Sequence, residues 1–523
     1  AHVIALPFTI LAVAVSVAIA TASDRRNSPV AEAVQPMTPS LAQAGKPLLR
    51  KPMPPWGALI LAGLIVGALY CTNTWDFPTA LALVWLGLIV RFRASRADWL
   101  FACVSATACA VFVGAVAYVG YLPFFTHFQS LYGSVARVRQ PSPLGAFLVI
   151  FGLQVLILVA ALLLLRPVRG WFTTIRADAR CTAIAGAGAC ALGAALATRR
   201  FVLVVTLPLL CMLPVLWLRM DAQPGRRIAF GIAAVALGLL SVIEVVFLAD
   251  DLIGGDFERM NTVFKFDYQA WTLLALASVA LISIVVERWR ATPAAWQVTV
   301  SCLLGATVFL SLFYPVFGTP ARLRQRMQSP PTNAGLNGFA WMATGSVPAD
   351  QFNNSGTGEP VSFAGDLALI HWLNDTVHGT PVIAEASIGP YRGNGSRISS
   401  ATGFPTIIGW ERHEEQQRDR LILPARVEDV RRIYTSAEPR AVQDVLDRYH
   451  VQYIVVGDVE RKTKLGGGQI GAAANGEPYA SPMGLATLGR MADQGTLRVA
   501  WQSGTTLLYE VTGGWRAGAT DAG

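Results

Sequence analysis

Charge is scarce in this chain. Asp, Glu, Lys and Arg make up 14% of its residues, where a soluble domain carries about a quarter. That shortage excludes an ordinary water-soluble fold for the whole protein. Catalytic signatures are missing too. No GxSxG or Walker loop occurs, which removes nucleophile-elbow and P-loop chemistry. His413-Glu414 opens like a zinc-protease motif, but Gln417 stands where the second histidine belongs. Cysteine is absent from the C-terminal third. Cys71, Cys103, Cys109, Cys181, Cys190, Cys211 and Cys302 all fall in or beside apolar runs. They offer no disulfide framework or CxxC site and read as small buried hydrophobes.

Apolar residues are abundant, at 53%, with a mean hydropathy of +0.46. They are unevenly placed. Up to about residue 317 the chain is a series of runs near the twenty residues needed to cross about 30 Å of hydrocarbon. The runs are 2–21, 56–72, 77–92, 98–119, 143–165, 182–198, 201–219, 228–249, 269–287 and 296–316. This is a mainly α-helical polytopic membrane domain of about ten spans, with residues 22–55 as a cytoplasmic linker. The net charge of +9 comes from arginine clusters between the runs, so it reports topology and not a nucleic-acid partner. Alternate loops carry about 17 against about 6 basic residues, and the richer side is cytoplasmic. The Asp76 turn, the 121–143 loop, the 249–269 stretch and everything after residue 317 are then extracytoplasmic. The first residue is Ala and no basic segment precedes Val3, so the chain is expected to be a fragment that starts inside a larger protein.

After residue 316 the composition becomes that of a globular domain. Residues 317–365 read as an irregular linker. Residues 366–512 alternate helix-like and strand-like runs, with helices over 366–377, 427–434, 439–449 and 485–492 and strands at 381–384, 453–456, 497–501 and 506–511. This is a small extracytoplasmic α/β domain, followed by a tail over 513–523.

Candidate chemistry is concentrated between the eighth and ninth runs. A helix from about Asp256 would place Glu258, Thr262, Lys265 and Gln269 on one face, and a polar face entering lipid has to meet protein or a wet cavity. Glu244, within the eighth run and about one turn from its end, can reach water or pair with Arg259 or Lys265. Asp76, before Pro78, sits where a helix dipole favours a carboxylate. Arg137 and Arg139 run against the topological bias, which fits a task such as meeting a lipid phosphate. In the C-terminal domain, Glu385, Arg397, Glu411, His413 and Glu414 stand in Gly/Pro-rich loops that a fold can bring together.

At Asn73–Thr79 (NTWDFPT), Tyr121–Ser130 (YLPFFTHFQS), Asp256–Trp271 (DFERMNTVFKFDYQAW), Thr402–Glu414 (TGFPTIIGWERHE) and Tyr453–Arg461 (YIVVGDVER) the chain resembles the YYY-domain family of multi-pass membrane proteins. Asp267 and Lys464 depart from the family pattern, which has an aromatic residue and a tyrosine there. The resemblance implies kinship with C-type glycosyltransferases, multi-span enzymes that use polyprenyl-phosphate sugars at the outer face of the plasma membrane. It implies a general base upstream of Ala1, with His2-Val3 as the remnant of an acidic motif. Arg137, Arg139, Arg259, Asn261, Lys265 and Gln269 are then expected to bind substrate phosphate. Asp76, Asp256 and Glu258 are expected to position an acceptor or a divalent cation, Mg or Mn. Two other classes stay open: a transporter or lipid-linked glycan flippase lined by the same stripe, and a non-catalytic receptor or assembly factor.

Overall fold

The computed structural model describes residues 2–21, 53–94, 99–128, 134–165, 168–176, 178–219, 224–250, 252–326, 335, 337–348, 359–388, 394–415, 422–463 and 478–514. Most of the expected 22–55 linker, Gln129, Ser130, Lys464 and the tail after residue 514 lie outside the described residues. The chain divides into two compact units, Ala1–Ser311 and Leu312–Gly523.

In the first unit every apolar run contains a helix, because a backbone in lipid must satisfy its polar groups within its own segment. The order begins with α1 (His2–Thr21), α2 (Trp56–Thr72), α3 (Phe77–Ala94) and α4 (Trp99–Gly120). A single turn, α5 (Leu122–Phe125), and strand β1 (Ser134–Arg137) come next. Then follow α6 (Leu144–Leu165), α7 (Val168–Arg176), α8 (Ala179–Ala197), α9 (Phe201–Arg219) and α10 (Pro224–Val242). Strand β2 (Val246–Ala249), α11 (Met260–Trp289) and α12 (Ala294–Phe313) complete it. Among the described residues, seven helices are long and apolar enough to cross a membrane, and shorter apolar helices lie at Thr9–Ala20, Trp56–Thr72 and Phe201–Leu216. Two apolar cores hold the bundle. One joins α1 to α4, and the other joins α6, α9, α10 and α11, with α1 and α3 contributing to both. All seven cysteines are free, and Cys190 and Cys302 are exposed on the bundle surface.

Two sequence expectations are corrected here. The run over 228–249 is not one helix. α10 ends at Val242, a turn carries Glu244, and β2 pairs antiparallel with β1, Arg137 opposite Val246 and Ser134 opposite Ala249. Hydropathy misses the break because β2 is as apolar as the helix before it. Nor does the next helix begin near Asp256. Residues 252–259 form turns around Gly254, whose φ of 83° favours glycine, and α11 starts at Met260. Asp256 and Glu258 therefore stand off the helix that carries Thr262, Lys265 and Gln269.

The second unit is α/β. The helix before it runs on through a π turn, Tyr314–Gly318, into α13 (Thr319–Arg326). Strands β3 (Ser346–Pro348) and β4 (Pro360–Ser362) pair antiparallel. The 317–365 region is thus partly helical and partly a ladder of three-residue strands, too short to show a period in sequence. Helix α14 (Ala364–Thr376) leads to β5 (Val382–Ala384), α15 (Arg397–Thr402), α16 (Glu411–Glu415), α17 (Leu423–Thr435) and α18 (Pro439–Arg448). Then come β6 (Val451–Val456), α19 (Asp458–Lys462), α20 (Pro482–Asp493), β7 (Leu497–Ser503) and β8 (Thr506–Val511). The sheet order is β5-β6-β8-β7; β5 and β6 are parallel and the other neighbours antiparallel. Ile383, Ile454, Val455 and Leu508 from the sheet and Leu369, Leu373 and Leu446 from the helices are fully buried in its core.

Candidate functional site

Arg259 caps α11 and ties the hairpin segments to it. One Nη donates to the Gln140 carbonyl at 2.7 Å, and the other to the Ile243 carbonyl at 2.7 Å and to Glu244 Oε1 at 2.9 Å. Glu244 is 2% exposed, and its Oε2 accepts the Ser142 N–H at 3.0 Å. Arg200 donates to the Glu244 carbonyl and, at 2.7 Å, to that of Val138. A buried ion pair holds only when hydrogen bonds replace the lost water, and these carbonyls do so. Arg259 and Arg200 are committed to the fold. Nothing in the sequence pairs Arg200 with a site, although it shares the contrary charge placement that singles out Arg137 and Arg139.

The polar stripe of α11 is likewise engaged by protein. Thr262 Oγ1 accepts the Leu248 N–H at 3.1 Å, which fixes β2 to the helix. Asn261 donates to Asp250 at 2.6 Å. Gln269 accepts from the Thr79 hydroxyl and donates to the Trp75 carbonyl at 3.2 Å. Lys265 Nζ lies 4.3 Å from the centroid of the Trp75 ring, against which Phe266 also packs. Asp76, 5% exposed, has an Oδ1 without a hydrogen-bond partner among the described residues. Gln269 lies ten residues beyond Arg259, about 15 Å at the α-helical rise, so Asp76, Lys265 and Gln269 form a tier apart from the hairpin.

Arg137 and Arg139 are different. Arg137 ends β1 and Arg139 lies in the bend that follows, with Val138, 1% exposed, buried between them. Both are exposed, and neither side chain has a hydrogen bond or ion pair to another described residue. The side chains of Asp256, exposed, and Glu258, half-buried, in the 252–259 turns are likewise without one. These four side chains line two adjoining cavities. One, about 590 Å³, has Arg137, Arg139, Arg200 and Glu258 in its wall. The other, about 480 Å³, has Arg139, Asp256, Phe257, Glu258 and Arg259. Both volumes fall within the range of about 300–1,000 Å³ usual for small-molecule sites. Among the described residues no group of three or more His, Cys, Asp or Glu is placed to hold a metal ion. Asp256 and Glu258 alone do not make a cation cage.

Residues 121–128 of the aromatic loop pack on α2. Tyr70 meets Phe125 at 4.6 Å between ring centroids, and Phe124 stacks on Phe128 at 5.0 Å. His127 bonds locally, to the Pro123 carbonyl at 2.8 Å and to Thr126. His2 opens α1, its side chain outside the described set.

In the second unit Glu385 and Arg397 do converge, with two carboxylates that the sequence does not single out. Arg397 is bonded to Asp366 at 2.6 Å and to Glu460 at 2.9 Å, and lies 4.0 Å from Glu385. Glu385 accepts the N–H groups of Ile398 and Ser399, each at 2.9 Å. Glu460 accepts those of Gly457 at 2.8 Å and Ala386 at 3.1 Å. The cluster joins the C-terminal ends of β5 and β6 to α14 and α15. Burial pushes the carboxyls of Asp366 and Glu385 above their ordinary range. Burial also acts on Glu460, but the Arg397 charge outweighs it and holds that group below its range. Glu411, His413 and Glu414 stand elsewhere. Glu411 is 1% exposed, Glu414 accepts the Gly409 N–H at 3.0 Å, and His413 is exposed beside the Trp410 ring.

The geometry thus separates residues that hold the fold from an open cationic face. No curated protein is similar enough to match the chain. The model of an uncharacterized membrane protein family, DUF2298, matches residues 1–274, and the chain belongs to that family.

Proposed function

We propose that this protein is a plasma-membrane glycosyltransferase of the C type, which takes a sugar from a polyprenyl-phosphate carrier and passes it to an extracytoplasmic acceptor. The observation that carries the reading is the pair Arg137 and Arg139. Both are exposed, Arg137 at the end of β1 and Arg139 in the bend after it, with side chains unengaged by any described residue and set in the wall of a cavity of about 590 Å³. Such a pair suits a phosphate, which guanidinium groups meet with parallel hydrogen bonds. In transfer, the bond between the sugar's anomeric carbon and the phosphate oxygen breaks, the acceptor oxygen replaces it, and the acceptor proton leaves to a base. Charge grows on the departing phosphate, and fixed cations stabilise it. Arg259, Asn261 and Gln269 have structural tasks in this reading, and Lys265 stays on Trp75. The arginine balance of the loops supports an extracytoplasmic side for the cavities and for the C-terminal unit, which in this reading recognises the acceptor.

The test uses membranes containing the full-length protein, with the expected upstream base, and labelled polyprenyl-phosphate sugars. Arg137→Ala/Arg139→Ala should abolish transfer at unchanged protein level. Unchanged transfer would overturn the reading. Loss of lipid-linked sugar flux, with no transfer by the wild type, would put a flippase in its place.

A further inference from the structure

The two cavities share Arg139, Gly254 and Glu258 yet differ in charge. The first sets Arg137, Arg139 and Arg200 against Glu258 alone. The second sets Arg139 and Arg259 against Asp256 and Glu258, and Arg259 already has Glu244 as its partner. An anion is therefore at home in the first lobe and repelled by the carboxylates of the second. The second lobe is nonetheless built for a polar guest. Its carboxylates accept hydrogen bonds and have no described partner. Phe257, 66% exposed, offers a bare ring on the same wall. At Gly254 and Gly255 no side chain covers the backbone, and an added Cβ would find nothing within 4 Å at the former. Carboxylates beside an exposed aromatic face fit a ring that bears hydroxyls on its edge and C–H groups on its flat side.

We infer that the second lobe binds the sugar of the lipid-linked substrate: a neutral, polyhydroxylated ring held by Asp256, Glu258 and Phe257 while its phosphate occupies the first lobe. This rests on the phosphate reading above and goes further by assigning a place to the glycosyl group. A neutral ring leaves the charge balance of the lobe unchanged. A second phosphate there would face Asp256 and Glu258, so the lobe selects for an uncharged sugar directly next to the phosphate bound by Arg137 and Arg139.

The full chain in phosphatidylcholine nanodiscs separates the two ideas. The probes are a polyprenyl phosphate and the same lipid carrying a hexose. Wild type should bind the hexosyl lipid about tenfold or more tighter, the factor one hydrogen bond to a charged group brings. Asp256→Asn/Phe257→Ala changes exposed residues of the second lobe alone and should bring the ratio to about one, with the plain phosphate bound within about twofold of wild type. Arg137→Ala/Arg139→Ala should weaken both lipids alike and keep the ratio. A wild-type ratio near one, or a ratio that survives Asp256→Asn/Phe257→Ala, overturns the sugar lobe and leaves the phosphate reading standing. Plain-phosphate affinity untouched by the arginine changes overturns the phosphate reading, and the sugar lobe with it.

Discussion

Arg259 and Glu244 form an ion pair at 2.9 Å, 11% and 2% exposed, across the turn between β2's approach and the start of α11. The pair is hydrogen-bonded on both sides, to the Gln140 and Ile243 carbonyls and to the Ser142 N–H. Removing one partner strands the other. Arg259→Ala or Glu244→Gln should each destabilise the protein by about 3–5 kcal/mol. Removing both should cost clearly less than the sum, because no buried charge is left alone. Denaturation of the detergent-solubilised protein measures it. Additive losses would mean that the pair does not couple the hairpin to the helix.

Gln269 takes the Thr79 hydroxyl and gives an N–H to the Trp75 carbonyl, fastening α11 to the Asp76 turn. Gln269→Leu strands both groups and should cost about 1–3 kcal/mol of stability. Affinity for polyprenyl phosphate should not change once the folded fraction is corrected. A specific loss of affinity at full stability would return Gln269 to the binding site.

How much of this was legible follows from single residues. The apolar runs showed themselves because a membrane helix has to be long and uniformly apolar. Glu244 reads as intramembrane in sequence because Val246 to Ala249 is apolar for a different reason, as a strand against β1. The stripe of Thr262, Lys265 and Gln269 was legible as a polar face. Its partners were not, since Trp75 and Thr79 are 194 and 190 residues from Gln269. Arg137 and Arg139 stood out by charge placement. Arg200 and the second cavity needed the hairpin register, which no local pattern reveals. In the second unit, Asp366 reads as an ordinary helix-start residue and nothing local marks Glu460; the parallel pairing of β5 with β6 is what brings Arg397 between them.

The Arg397 cluster gives the second unit a particular acid response. Glu460 and Asp458 have depressed carboxyls, Glu460 through Arg397 and Asp458 through Thr505, Lys462 and Ser362, each against the upward pull of burial. Their stabilisation is present above the unfolded carboxylate range and is lost as pH falls through the folded values. Asp366 and Glu385 are raised by burial, so their contribution is complete at low pH and fades as pH rises. Between pH 7 and about 5, stability of this unit should hold or rise on acidification, and fall only below about pH 4. Hydrogen-exchange protection of β6 in the full chain reads it. A steady loss from pH 7 downward would contradict the signs assigned.

Arg397 is also irreplaceable by lysine on these grounds. It forks between two carboxylates, Asp366 and Glu460, and one ammonium cannot copy that fork. Arg397→Ala should destabilise the unit by about 3–5 kcal/mol, and Arg397→Lys should recover only part of it. Full recovery, seen as native protection of β6, would reduce the fork to a point charge.

The Arg137 and Arg139 face is proposed to receive the phosphate of a lipid carrier. The most direct measurement is the Kd of a polyprenyl phosphate for the full chain in phosphatidylcholine nanodiscs, taken across a salt series. Binding by the wild type should weaken with salt, as contacts to exposed charges do. Arg137→Ala/Arg139→Ala should lose about tenfold or more in affinity together with most of the salt dependence, at a stability changed by no more than about 0.5 kcal/mol. Equal Kd values for variant and wild type at every salt concentration would contradict the account.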